Sequence, residues 1–181
     1  MVQPKHMKSK ICLVGEATVG KTSLVRRYVL DEFHDGYIQT LGTKVSKKVV
    51  QVASPEETIQ VDMSIWDIMG QPGFLNLLSD SYFAGAHGIL AVADFTRKAT
   101  QDRLEPWIRN VRQVAGAVPV LLAVNKVDLV AGGEHGAPEI SEAATRYANG
   151  CIATSAKTGE NVEAAFRQLA ALVAGHQLQP A

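Results

Sequence analysis

Apolar positions along this chain follow two periodicities. Ile11-Cys12-Leu13-Val14 is short, unbroken and closed by Gly15, and the segments Gly88 to Ala93 and Val118 to Val124 have the same character. Continuous apolar runs of this length suit strands buried on both faces. Leu104, Trp107, Ile108, Val111 and Ala115 fall at three- and four-residue steps, one face of a helix. Val162, Ala165, Phe166, Leu169, Leu172 and Val173 form a second such face near the end of the chain. Pro106 sits inside the first pattern and predicts that this helix begins or bends there. One region has a period of two: Ile59, Val61, Met63 and Ile65 alternate with Gln60, Asp62, Ser64 and Trp66. Val45 to Ala53 precedes it across a Ser54-Pro55-Glu56-Glu57-Thr58 turn, so the pair reads as an antiparallel hairpin. The rest has the rhythm of βαβ units, and the chain reads as one α/β domain on a mainly parallel sheet.

The charge balance narrows what such a domain can bind. Lys and Arg total 18, matched by 18 Asp and Glu in 181 residues, which argues against a broad electrostatic footprint for nucleic acid. Hydrophobic residues make up 46% and charged residues 20%, outside the composition of disordered chains. No apolar run approaches the roughly 20 residues of a membrane span. Cys12 and Cys151 stand alone in apolar segments, without metal-ligand or disulfide-framework spacing, and read as structural thiols of a reducing compartment. The apolar run after Lys5, Lys8 and Lys10 is too short for a secretory signal, so the expected location is cytoplasmic.

Chemistry enters at Gly15-Glu16-Ala17-Thr18-Val19-Gly20-Lys21-Thr22, which satisfies G-x-x-x-x-G-K-[ST]. The segment follows a buried strand and opens a helix carrying Ser23, Leu24, Val25, Tyr28 and Val29, the context a phosphate loop requires. Its glycines let successive N–H groups turn inward around phosphate oxygens, and the helix N-terminus adds partial positive charge. Lys21 can reach the terminal phosphates, and the Thr22 hydroxyl can ligate Mg²⁺. The loop by itself indicates a nucleoside triphosphate, without a base or a reaction.

Asp67-Ile68-Met69-Gly70-Gln71, Asn125-Lys126-Val127-Asp128 and Ser155-Ala156-Lys157 follow in that order, each closing an apolar strand. Standing alone, any of them is an ordinary polar strand end. Together with the phosphate loop they resemble the guanine-nucleotide motifs of the Ras superfamily of small GTPases, and Thr40-Leu41-Gly42 looks most like the Rab and Ran branches. The resemblance spans residues 10–174, leaving 1–9 as an N-terminal extension and 175–181 as a short polar tail. It implies a six-stranded sheet in the order 2-3-1-4-5-6, with one antiparallel edge strand and about five helices. Asp128 would accept hydrogen bonds from the donor edge of guanine, which adenine lacks. Asn125 would buttress that loop, the Lys126 stem would cover the ring, and the Ala156 N–H would reach the guanine carbonyl, with Ser155 holding the loop beside Lys157. Asp67 would hold Mg²⁺ through water, and the Gly70 N–H would approach the γ-phosphate. Gln71 would orient the attacking water. Phe33 and Tyr37 resemble the aromatics of the first switch, and Thr40 the residue that completes Mg²⁺ coordination.

Several positions depart from the family pattern. Met69 replaces a small residue, and Pro72 restricts the backbone of Gln71, so a GTP-binding module with little or no intrinsic hydrolysis is an alternative reading. A small P-loop kinase is a second, disfavoured by the base-reading motifs. Arg97 and Arg103 read as solvated charges rather than as an arginine finger. No Cys lies near the C-terminus and residue 2 is Val, so no lipid anchor is expected. Partners implied by the resemblance are GTP and GDP, with effector, activating (GAP) and exchange (GEF) proteins, around a monomeric switch.

Overall fold

The computed structural model describes residues 5–54, 57–71, 73, 79–130 and 138–178. The strands are β1 (Lys5–Val14), β2 (Thr43–Ala53), β3 (Thr58–Ile68), β4 (Gly88–Asp94), β5 (Val120–Asn125) and β6 (Cys151–Thr154). The helices are α1 (Lys21–Leu30), α2 (Ser79–Phe83), α3 (Ala99–Asp102), α4 (Glu105–Ala115), α5 (Glu142–Thr145) and α6 (Val162–Gln177). One six-stranded sheet runs β2-β3-β1-β4-β5-β6. Only the β2–β3 pair is antiparallel; every other pair is parallel.

The unbroken apolar strands bury both faces because each face has its own layer of helices. Ile11 and Leu13 of β1, Leu90 and Val92 of β4, and Leu121 and Ala123 of β5 pack with α1 and α6. The alternate residues Cys12, Val14, Ile89, Ala91, Leu122 and Val124 pack with Phe83, Trp107, Ile108 and Val111 on the other side. Tyr28 and Phe166 stack at 4.1 Å between ring centroids and join α1 to α6. Pro106 lies in the first turn of α4, where its missing N–H has no partner to lose.

The terminal elements run past residues 10–174 at both ends. Residues 5–9, expected as an extension, form the first half of β1, paired in parallel with Ile59–Met63 of β3. Residues 175–177, expected as tail, complete α6. The run from Val118 yields its first strand residue at Val120, after Pro119, a residue with no N–H to give a ladder.

The face that carries α1 acquires one polar side chain at the end of each of four strands. Asp67 continues the parity of Ile65, Asp94 that of Val92, Asn125 that of Ala123, and Thr154 that of Ile152. All four are buried, Asp67 and Asn125 at 1% exposure, so each must find partners where the apolar layer stops. The phosphate loop lies there.

Candidate nucleotide site

A cavity of about 570 Å³ opens above these strand ends, a size typical of small-molecule sites. Its wall draws on the phosphate loop, residues 33–41, residues 67–71, and the segments around Lys126 and Ala156. Ala17, Thr18, Gly20, Lys21, Thr22, Ser23, Phe33, Tyr37, Thr40, Gly70, Gln71, Asn125, Lys126, Asp128, Ala156 and Lys157 all line it. Gly15, Val19 and Ser155 stand behind the wall, buried.

At the phosphate end, Gly20 has φ +102, and a Cβ there would lie 2.3 Å from Asn125 Nδ2. Only glycine permits both the turn and the approach. Lys21 is 6% exposed, and its Nζ donates to the Gly15 and Glu16 carbonyls at 2.8 Å each. Burial pulls its ammonium down to about 8, with Asp67 and Glu16 pulling the other way. A phosphate would supply the counter-charge that this desolvated cation lacks. Gly70 sits so close that a Cβ would come within 2.5 Å of Ala17 N and Lys21 Nζ. The segment after β3 therefore rests directly on the phosphate loop, and the Met69 N–H donates to Gly42 O at 3.0 Å. Met69 also packs its side chain against the α2/α4 core layer. Gln71 is exposed at the rim. Pro72 and residues 74–78 of the expected second switch lie outside the described residues.

Three oxygen-bearing side chains converge next to Lys21. The Thr22 hydroxyl donates to Asp67 Oδ2 at 2.5 Å and lies 2.8 Å from the Thr40 hydroxyl. Having given its only proton to Asp67, Thr22 accepts from Thr40. Burial raises the Asp67 carboxyl above its ordinary range despite the Thr22 bond and the Lys21 charge. Its Oδ1 is buried with no hydrogen-bond partner among the described residues. Two hydroxyls and a carboxylate with an unused oxygen suit Mg²⁺, a hard cation that fills its remaining positions with water and phosphate. Thr22, Thr40 and Asp67 would hold it.

At the other end, Asn125 joins separate loops. Its Nδ2 donates to Val19 O at 3.1 Å, and its Oδ1 accepts from Thr154 Oγ1 at 3.1 Å and Ala156 N at 3.2 Å. Ser155 Oγ donates to Asp128 Oδ1 at 2.6 Å, which fixes the carboxylate while Oδ2 can accept from a ligand. Phe33 packs against the core layer of α1 and α6, whereas Tyr37 is 63% exposed. Lys157 reaches Asp35 at 3.8 Å, an ion pair between the base-side loop and the first switch.

The structure gives partners to the two arginines read as solvated charges. Arg97 is bound on both sides: its Nε donates to Asp94 Oδ2 and a terminal nitrogen to Thr18 Oγ1, each at 3.0 Å. Arg103 pairs with Glu16 at 2.9 Å. Both therefore touch the phosphate loop while their side chains stay exposed, 44% for Arg97 and 66% for Arg103. Arg27 donates to the Ala156 and Lys157 carbonyls at 2.9 and 2.7 Å and pins the base-side loop to α1. Asp94 collects Arg97, Lys126 and Thr96. Burial alone would raise its carboxyl, but the bonds from Lys126 and Thr96 outweigh it and hold it below its ordinary range. Its one early sign is a lone carboxylate closing the apolar β4 run.

The sequence profile of the Ras family matches residues 10–174. The chain is 34% identical over 163 residues to Ras-related protein Rab-1 of Theileria parva, across 89% of this chain and 72% of that protein. It is 32% identical over 162 residues to Ras-related protein Rab-13 of Mesocricetus auratus, across 89% of this chain and 77% of that one. With GTP-binding protein YPTM2 of Zea mays it shares 34% identity over 165 residues, across 91% of this chain and 79% of the relative. Likeness of this extent, carried on a sheet whose strand ends meet the phosphate loop, makes the chain a member of the Ras family on its Rab branch, a small GTPase built as a nucleotide-binding switch.

Proposed function

We propose that this small GTPase is a Mg²⁺-dependent GTP/GDP switch that hydrolyses GTP slowly and changes partners through residues 33–43 and 68–80. The observation that carries this reading is the convergence of Lys21, Thr22, Thr40 and Asp67 at one end of the cavity, with Asp128 and Lys126 at the other. When bound, Mg²⁺ neutralises charge on the phosphate oxygens. Lys21 and the loop N–H groups stabilise the charge that develops on the transferred phosphoryl group. Gln71 orients a water for in-line attack on the γ-phosphorus, and GDP leaves. Asp128 selects guanine. Thr40 and Gly70 order the two switch segments around the γ-phosphate and release them on its loss.

Unassisted turnover in this chemistry is on the order of 10⁻⁴ s⁻¹, and an arginine supplied in trans adds roughly 10⁵-fold. A cytoplasmic monomer of this kind works with activating, exchange and effector proteins. The test is single-turnover hydrolysis of bound GTP with Mg²⁺, beside ATP and a Lys21→Ala control. Slow, guanine-specific turnover that Lys21→Ala abolishes supports the reading. Tight GTP binding without turnover would favour the binding module suggested by Met69 and Pro72, and equal use of ATP would sink the guanine assignment.

A further inference from the structure

Thr18 is the one β-branched residue of the described chain in the left-handed region, at φ +67. That conformation is strained for an L-residue, and branching at Cβ makes it less accessible still. Yet it sits mid-way along the phosphate loop, where N–H direction determines whether the loop can cradle anything. Two cations hold it there. Lys126 Nζ donates to the Thr18 carbonyl at 2.6 Å, and Arg97 donates to the Thr18 hydroxyl at 3.0 Å. Both cations are anchored on the same buried carboxylate, Asp94 Oδ2, at 2.7 and 3.0 Å.

The two tethers differ in kind. Lys126 grips a carbonyl that any residue would offer at this position, whereas Arg97 grips a hydroxyl. The Arg97 tether therefore exists only because residue 18 carries a hydroxyl. Arg97 lies 79 residues from Thr18 and belongs to none of the four nucleotide motifs.

We infer that Arg97 is a positioning residue for nucleotide binding: by clamping the Thr18 hydroxyl, it holds the phosphate loop in its strained, phosphate-accepting shape and slows nucleotide release. The inference rests on the guanine-nucleotide reading of the cavity. Arg97 does not touch the nucleotide in this scheme; it acts through Thr18. Losing one charge-assisted hydrogen bond at a half-exposed site corresponds to about a three- to tenfold change in rate.

The test is release of a fluorescent GDP analogue from the Mg²⁺-loaded full chain, chased with excess GDP. Arg97→Ala and Thr18→Val should each speed release about three- to tenfold, and the double variant should be no faster than either single one. In a Thr18→Gly background, where the left-handed turn carries no strain and no hydroxyl, Arg97→Ala should leave the rate unchanged. Unaltered release in Arg97→Ala would overturn the inference. So would additive effects of Arg97→Ala and Thr18→Val, because a general loosening around Asp94 would not depend on the Thr18 hydroxyl. Failure of the unmodified protein to bind the analogue would instead remove the nucleotide reading itself, and the clamp with it.

Discussion

At the scale of single residues, the proposed function assigns binding and chemistry to different side chains. Asp128 Oδ1 accepts from Ser155 at 2.6 Å, which holds the carboxylate in place, and its remaining lone pairs can only accept donors from a base. Replacing it tests base choice with little effect on the fold, since Asp128 is only half-buried at the cavity edge. Asp128→Ala should weaken GTP binding about ten- to hundredfold, the worth of hydrogen bonds to an ionised group. Its thermal midpoint should barely move. Competition titration with GTP and xanthosine triphosphate would check this, because an unchanged GTP affinity removes Asp128 from base reading. Gln71 behaves in the opposite way. It is exposed at the rim beside the loop that Gly70 packs against, a position suited to water and not to gripping the nucleotide. Gln71→Ala should slow single-turnover hydrolysis by roughly 10²-fold, a cost in line with losing the orientation of a reactant, with GTP affinity nearly constant. An unaltered rate would mean that Met69 and Pro72 have moved the attacking water out of its reach.

At the scale of elements, the site is made where four strands run out of apolar sequence on the same face. Asn125 shows what that junction requires. Buried at 1% exposure, it serves Val19 O, Thr154 Oγ1 and Ala156 N at once, and so links the phosphate loop, β6 and the base-side loop. Asn125→Ala would orphan all three groups, at about 2–4 kcal/mol of unfolding free energy if partial relaxation recovers some of the cost. Urea titration of the GDP-loaded protein should show a lower midpoint with an unchanged slope. A stability loss under about 0.5 kcal/mol, the range of an ordinary surface change, would mean that water replaces the amide. Much of this junction is legible in the sequence, because a polar residue closing an apolar run and a glycine-rich turn opening a helix are local signals. The tethers of Arg97 and Arg27 are not. They span 79 and 129 residues, and nothing in the spacing of either arginine distinguishes it from a solvated charge until the sheet order brings the loops together. The first half of β1 was hidden for a related reason. Met7 is its lone large apolar residue, and its strand state comes from pairing with Ile59–Met63, a partnership that no local pattern encodes.

At the scale of the whole molecule, equal numbers of acidic and basic groups leave no large net charge to govern stability near neutrality, so individual perturbed groups should be visible in its pH dependence. His87 is the clearest. It sits between α2 and β4 and is tied to β1 in both directions: its backbone N–H donates to Lys10 O at 2.8 Å, and its Nδ1 accepts from the Lys10 N–H at 2.9 Å. An accepting Nδ1 carries no proton, and protonation would set two donors face to face. Burial first, and the Lys10 charge second, hold His87 below its ordinary value of 6.5. Because the folded form binds this proton less readily than the unfolded chain, the contribution is fully present above about pH 6.5 and is lost as pH falls below it. His87→Gln keeps an acceptor on the same side chain but has no proton to gain. Chemical denaturation of both proteins at saturating GDP, stepped from about pH 7.5 to 5, should show the stability of the unmodified chain falling more steeply than that of the variant, with the two curves parallel above pH 7. Parallel curves throughout would mean that His87 rotates out to solvent when it charges and that β1 is held to the β4 side by backbone pairing alone.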